Sequence, residues 1–192
     1  TVYFGMVNTF IALSMYAVVA AGIHDFKSID FAASGGFAAA QMVALFSMQV
    51  SVGIFVGGVG GMVCSVILAP MFLRLETHWM ALASLALVLI TRVVVLNAPS
   101  LTGGVNGMLV PARVSILELT IWLALVGAVY YRLHNSWYGL ATRAVREDPS
   151  VAETMGISVW RIQFIAFAIS GAVGGIGGAA MATTLQFISA DT

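Results

Sequence analysis

Residues 31–73 form an unbroken run of 43 positions without a single Lys, Arg, Asp, Glu or His, and residues 1–23 form a second such run. A helix needs about 20 mostly apolar residues to cross a bilayer. The long run therefore has room for two crossings and the first run for one. A transmembrane β-barrel would alternate lipid-facing and lumen-facing residues. These stretches are continuously apolar, and only helices satisfy such a backbone in lipid. Composition closes off a water-soluble fold: 60% of the chain is hydrophobic and 8% is charged, against about a quarter charged in soluble domains. The mean hydropathy of +1.01 agrees. Net charge is zero, with no basic stripe for nucleic acid. The single cysteine, Cys64, excludes an internal disulfide.

The expected fold class is all-α, a polytopic integral membrane helical bundle with about six spans. Their expected positions are Val2–Ile23, Ala33–Met48, Ser51–Phe72, Trp79–Leu96 (interrupted by Arg92), Ile116–Tyr131 and Ile162–Ile188. Segment 132–161 carries Arg132, Arg143, Arg146 and Arg161, half of the eight basic residues, so the positive-inside rule places it in the cytoplasm. Threading backwards puts Arg74 and Lys27 on the same side and the loop 97–115 on the outer face. Gly53, Gly57 and Gly61 recur on one helix face, as do Gly171 with Gly175 and Gly174 with Gly178. Close backbone packing between helices is the ordinary reading of such stripes, with a gating or pore role as the alternative.

Segment 132–161 holds the densest local signals. Residues 137–147 are good helix formers. Asp148 before Pro149 reads as the stop of one helix and the cap and first turn of another. Ser150 with Glu153 is a second capping option, and Gly156 marks the end of the short helix. Val151, Ala152 and Met155 are expected to form a small apolar knob. It could dock into a groove on another protein or lie on the membrane surface. The run from Gly139 to Ile157, followed by Arg161 and Ala166-Phe167, resembles the signature of permease subunits of branched-chain amino acid ABC importers. Gly139, Arg143, Ala144, Arg146, Glu147, Ala152, Glu153, Gly156 and Ile157 fall in register with it; Val151 stands where that family often has alanine.

The resemblance implies that 132–161 is a cytoplasmic coupling loop. It assigns ATPase contact to Arg143, Ala144, Arg146, Glu147, Ala152, Glu153, Met155 and Gly156. Leu101–Met108 resembles the family's Gly-rich outer run. Gly103, Gly104, Asn106 and Gly107 there, and Ser34 and Gly35 at the head of the Ala-rich span, are expected on the substrate path or outer loop. The chain reads as one permease domain, 1–192, truncated at both ends, since it starts at Thr1 and stops just after an apolar segment. No nucleophile–base set is visible. No Walker-type G-x-x-x-x-G-K-[ST] occurs, so ATP belongs to a partner and the chain itself is expected to bind no cofactor or metal.

The resemblance further implies ABC ATPase subunits, a second homologous permease subunit and a periplasmic or external substrate-binding protein as partners. Membrane lipid surrounds the chain, with no nucleic acid, and the location implied is the cell inner (plasma) membrane. Permeases for urea, short amides or sugars fit the same signals. A secondary transporter without an ATPase fits less well, because no Asp or Glu lies in the interior of a span, Glu118 standing only at the start of one. Arg92 is an intramembrane charge close enough to Asn97 to snorkel to the outer interface. A pair with Glu118 is its candidate contact. His24, His78 and His134 fall at cytoplasmic span ends without metal-ligand spacing.

Overall fold

The computed structural model describes residues 2–23, 50–75, 77–97, 108–109 and 114–188. Among them are seven helices: α1 (Val2–Ala20), α2 (Val50–Phe72), α3 (Thr77–Asn97), α4 (Ile116–His134), α5 (Trp137–Glu147), α6 (Pro149–Thr154) and α7 (Val159–Leu185). The chain is an all-α multi-pass membrane protein. Four of the helices, α1, α2, α4 and α7, are long and apolar enough to span a bilayer, and residues Leu82–Asn97 of α3 are also apolar. The expected span Ala33–Met48 lies outside the described residues, as do Ser34 and Gly35.

Helix α7 is the hub. It is buried on nearly every side, from Ile162 through Thr183, with α2 against one face and α1 against another. Small residues make this possible. A Cβ on Gly61 would strike the backbone of Gly171 and Gly175, one on Gly175 would strike Gly57, and one on Gly171 would strike Ser65. The two glycine stripes thus face each other, and contact is backbone to backbone. Apolar burial gives little drive between helices in lipid, so close approach and interhelical hydrogen bonds hold the bundle. Ser14 on α1, fully buried, donates to the Ser170 carbonyl at 2.9 Å. Tyr130 on α4 donates to the Leu13 carbonyl at 2.7 Å. Phe10, Ile54, Leu119, Val126 and Ala180 fill the middle of the bundle, and Phe72 stacks on Phe167 nearer its basic end.

One expectation about the last span changes. The apolar pattern runs to Ile188, but α7 ends at Leu185, because Gln186 adopts a left-handed conformation (φ 56°). The chain then turns, and Phe187–Ile188 pair antiparallel with Met108–Leu109, Met108 opposite Ile188 and Leu109 opposite Phe187. The backbone groups released by the helix are met by strand pairing. This pair ties the end of α7 to the loop between α3 and α4, in agreement with both lying on one face. The carboxylate of Glu118 is occupied at the start of α4: it accepts from the Ser115 N–H at 3.1 Å, half of a capping box, and from Ser51 on α2 at 3.1 Å.

Candidate functional site

The polar segment between α4 and α7 is a rigid elbow. The turn from α4 into α5 is tight: Ser136 Oγ donates to the Leu133 carbonyl at 2.7 Å. Gly139 sits so close to the carbonyls of Leu133 and His134 that any side chain would collide with them. Helix α5 is the strongly amphipathic one. Ala141, Thr142 and Val145 are buried and Tyr138 is partly buried, a 3.6-residue rhythm. Tyr138 donates to the Ile162 carbonyl of α7 at 3.3 Å. Its burial pushes the phenol up to about 12, so it stays protonated at any physiological pH.

Asp148 does the work expected of it at both ends. Its extended backbone (φ −154°, ψ 105°) ends α5, with its N–H on the Ala144 carbonyl at 3.1 Å. Its carboxylate Oδ1 accepts from the N–H groups of Ser150 (2.8 Å) and Val151 (3.2 Å) and from Ser150 Oγ (2.7 Å). The Ser150 hydroxyl and the two amides hold the carboxyl below the usual range. Pro149 takes the first helical position. The far end of α6 closes with a Schellman motif: Ile157 N–H donates to the Ala152 carbonyl and Gly156 N–H to the Glu153 carbonyl, each at 3.0 Å. Gly156 supplies the positive φ of 80° that this motif needs. Ile157 and Ala152, the pair that usually touch in this motif, both join the cluster of Ala141, Val145 and Ile162.

The assigned coupling residues divide into two groups. Ala152 is 1% exposed; its methyl points into the elbow against Val145 and Ile162 and is not part of a surface knob. The knob is Val151 (52% exposed) and Met155 (73%). Glu153 and Gly156 are exposed beside them, Arg143, Arg146 and Glu147 are exposed on α5, and Ala144 is half-buried. Arg146 and Glu147 approach to 3.4 Å with both side chains well exposed, an arrangement worth little in water. Sequence reasoning missed Trp137 and Leu140, which stand out from α5 at 69% and 64% exposure. Their spacing with Arg143 and Arg146 on the outward face was the available signal. Gly103, Gly104, Asn106 and Gly107 lie outside the described residues. Among the described residues, no three His, Cys, Asp or Glu side chains gather as a metal site would require.

A family model described as the permease component of branched-chain amino acid transport systems matches residues 1–192. The protein named "Probable branched-chain amino acid transport permease protein LivH" of Methanocaldococcus jannaschii is 26% identical over 181 residues, covering 83% of this chain and 57% of its own. The guanosine ABC transporter permease protein of Bacillus subtilis is 40% identical over 63 residues, 33% of this chain and 20% of its own. A nucleoside ABC transporter permease protein of Lactococcus lactis is 38% identical over 67 residues, 34% of this chain and 21% of its own. The chain thus spans between a fifth and just over half of the length of these relatives. No solved structure matches it.

Proposed function

The chain belongs to the family of permease components of branched-chain amino acid transport systems, and on that premise we propose that it forms the membrane path of an ATP-driven importer, with the α5–α6 elbow as the contact for a separate ATPase subunit. The observation that carries the proposal is the build of the elbow. A six-residue helix is too short to persist alone, yet α6 is capped at both ends and seated by a buried alanine. It holds Val151 and Met155 out in one fixed geometry. Force applied there passes to α7 through Ala152, Val145 and Ile162 and through the Tyr138–Ile162 hydrogen bond. Because α7 packs against both α1 and α2, moving it repacks the bundle. An ATPase shifts the equilibrium between inward-open and outward-open forms only by gripping the elbow differently in each. In this reading a second homologous permease subunit completes the path, an external binding protein delivers solute to the outer face, and the assembly sits in the cell inner membrane.

The solute class is small and polar. Branched-chain amino acids follow from the family description and the long match at 26% identity. Nucleosides are a second reading, favoured by the shorter matches at 40% and 38%. The full-length protein reconstituted with its ATPase and binding protein should take up either leucine or guanosine when ATP is supplied on the elbow side. Uptake of either without ATP would defeat the importer reading. Replacing Val151 and Met155 together by Arg should abolish copurification of the ATPase while the permease stays folded. Ala152 is unsuitable for this purpose, since a larger side chain there would unseat the elbow itself.

A further inference from the structure

A cavity of about 150 Å³ opens where α1, α4 and α5 meet, at the level where α4 ends and the elbow begins. Its chemistry is divided. Ala17, Ala20, Leu133 and Ile169 give one apolar wall. Arg143, Arg146 and His134 line the other side, with no carboxylate among the described residues that line it. Two of the three tyrosine hydroxyls at its edge are already committed: Tyr130 donates to the Leu13 carbonyl and Tyr138 to the Ile162 carbonyl. Thr142 likewise donates to the Tyr138 carbonyl at 2.6 Å. The charged donors that face a guest are those of the two guanidinium groups, with the Tyr16 hydroxyl and the His134 ring beside them. Arg143 Nη2 lies 2.6 Å from His134 Nε2. A guanidinium has no acceptor, so Arg143 is the donor in this contact. That contact uses one of five Arg143 N–H groups and adds no negative charge. Arg146 has Glu147 at 3.4 Å as its outer neighbour, an exposed carboxylate that does not line the cavity. The backbone braces the site too: Gly22, at φ 78°, packs directly on the Arg146 Cα, so the end of α1 fixes the position of that arginine.

We infer that this cavity binds the phosphate group of an amphiphilic guest, with Arg143 and Arg146 on the phosphate oxygens and the first methylenes against Ala17, Ala20 and Ile169. Paired guanidinium groups match phosphate geometry better than any other side chains. The space is smaller than the roughly 300–1,000 Å³ of a site for a whole drug-sized ligand and suits a headgroup. Aromatic side chains beside it, Tyr16 stacked edge-on against Tyr130 at 6.0 Å, are those found at membrane–water interfaces. Basic pockets between helices on the cytoplasmic side meet the anionic lipids of that leaflet. The placement in the inner leaflet rests on the orientation proposed above; the charge and shape of the cavity do not. Occupied, the phosphate would link α1 to α5 and hold the elbow against the bundle.

The test is native mass spectrometry of the assembled full-length transporter, extracted from bilayers of phosphatidylglycerol mixed with phosphatidylcholine. The wild type should retain phosphatidylglycerol in preference to phosphatidylcholine, and Arg143→Gln with Arg146→Gln should cut that retention about tenfold. Ala20→Phe, which fills the apolar wall without touching charge, should cut it as well, whereas Arg132→Gln, outside this cavity, should leave it unchanged. Displacement of the lipid by millimolar inorganic phosphate would identify soluble phosphate as the source of the same chemistry; persistence would identify lipid. Equal retention of both lipids, unchanged by either cavity variant and with no phosphate bound, overturns the inference. ATPase copurification is scored in the same samples. Loss of the ATPase from the Val151 and Met155 variant, with lipid retention intact, separates failure of this site from failure of the proposed coupling surface.

Discussion

The α2–α7 interface and the α5–α6 elbow solve opposite problems by opposite means. Inside the bilayer, Gly57, Gly61, Gly171 and Gly175 work by lacking side chains, so that two backbones touch. Outside it, Asp148, Pro149, Ala152 and Gly156 work by what their side chains and φ angles do for a helix of six residues. Water is present at the elbow to compete for every hydrogen bond, so the elbow needs explicit caps. In lipid each long helix satisfies its own backbone, and what remains to be specified is distance. Rigidity in the first region is steric and in the second it is local hydrogen bonding. The two should fail differently when altered.

The largest effect is expected at the glycine interface. Gly175→Leu forces a side chain into the Gly57 backbone and should cost upwards of about 3 kcal/mol. Loss of the folded, monodisperse protein on size-exclusion chromatography would register it. Gly156→Ala has open space around it, so its penalty is purely the positive φ, about 1–2 kcal/mol. Hydrogen exchange should quicken across residues 149–157 while α2 and α7 stay protected. Uniform loosening of the whole bundle would show that the two regions are not separate. Asp148→Ala should expose the amides of Ser150 and Val151 in the same experiment. The wild-type cap carries a pH signature. Its carboxyl is held below the usual carboxylate range, so the cap is fully present above about pH 4–5 and is lost as pH falls through the lowered folded value. Exchange at Ser150 and Val151, corrected for intrinsic chemistry, should be flat from pH 5 to 8. A rise within that range would contradict the capping geometry. The smallest effect is expected for Ser14→Ala, which removes the hydrogen bond to Ser170. Such bonds between membrane helices average about 0.6 kcal/mol, to be read as a slight shift in thermal unfolding.

What was legible in the sequence follows the same division. Glycine spacing announced a close-packing face on both α2 and α7, because a four-residue repeat is a helix face whatever the partner; that the two faces meet each other came only from the structure. Asp148-Pro149 and Gly156 announced the boundaries of α6 because capping chemistry is local. The inward direction of Ala152 was not legible. Val151, Ala152 and Met155 lie close together on a short helix, and only the positions of Val145 and Ile162, set by α5 and α7, decide which of them faces in. The end of α7 was also missed, since apolar residues continue through Phe187 and Ile188 while the partner strand lies far off in sequence. The capping role of Glu118 toward the Ser115 amide three residues back is a local contact that the sequence reading did not single out. The cavity beside Arg143 and Arg146 could not be foreseen at all, because its walls come from α1, α4, α5 and α7.

The central claim is that the elbow faces an ATPase. In the full-length protein, a photo-crosslinking residue placed at Met155 is compared with one at Leu89, which stands exposed on the apolar helix α3. The expected result is a covalent adduct with the ATPase subunit from position 155 and none from position 89. Adducts from position 155 with lipid alone, in membranes where the ATPase is present and folded, would contradict the claim and return α6 to the membrane surface.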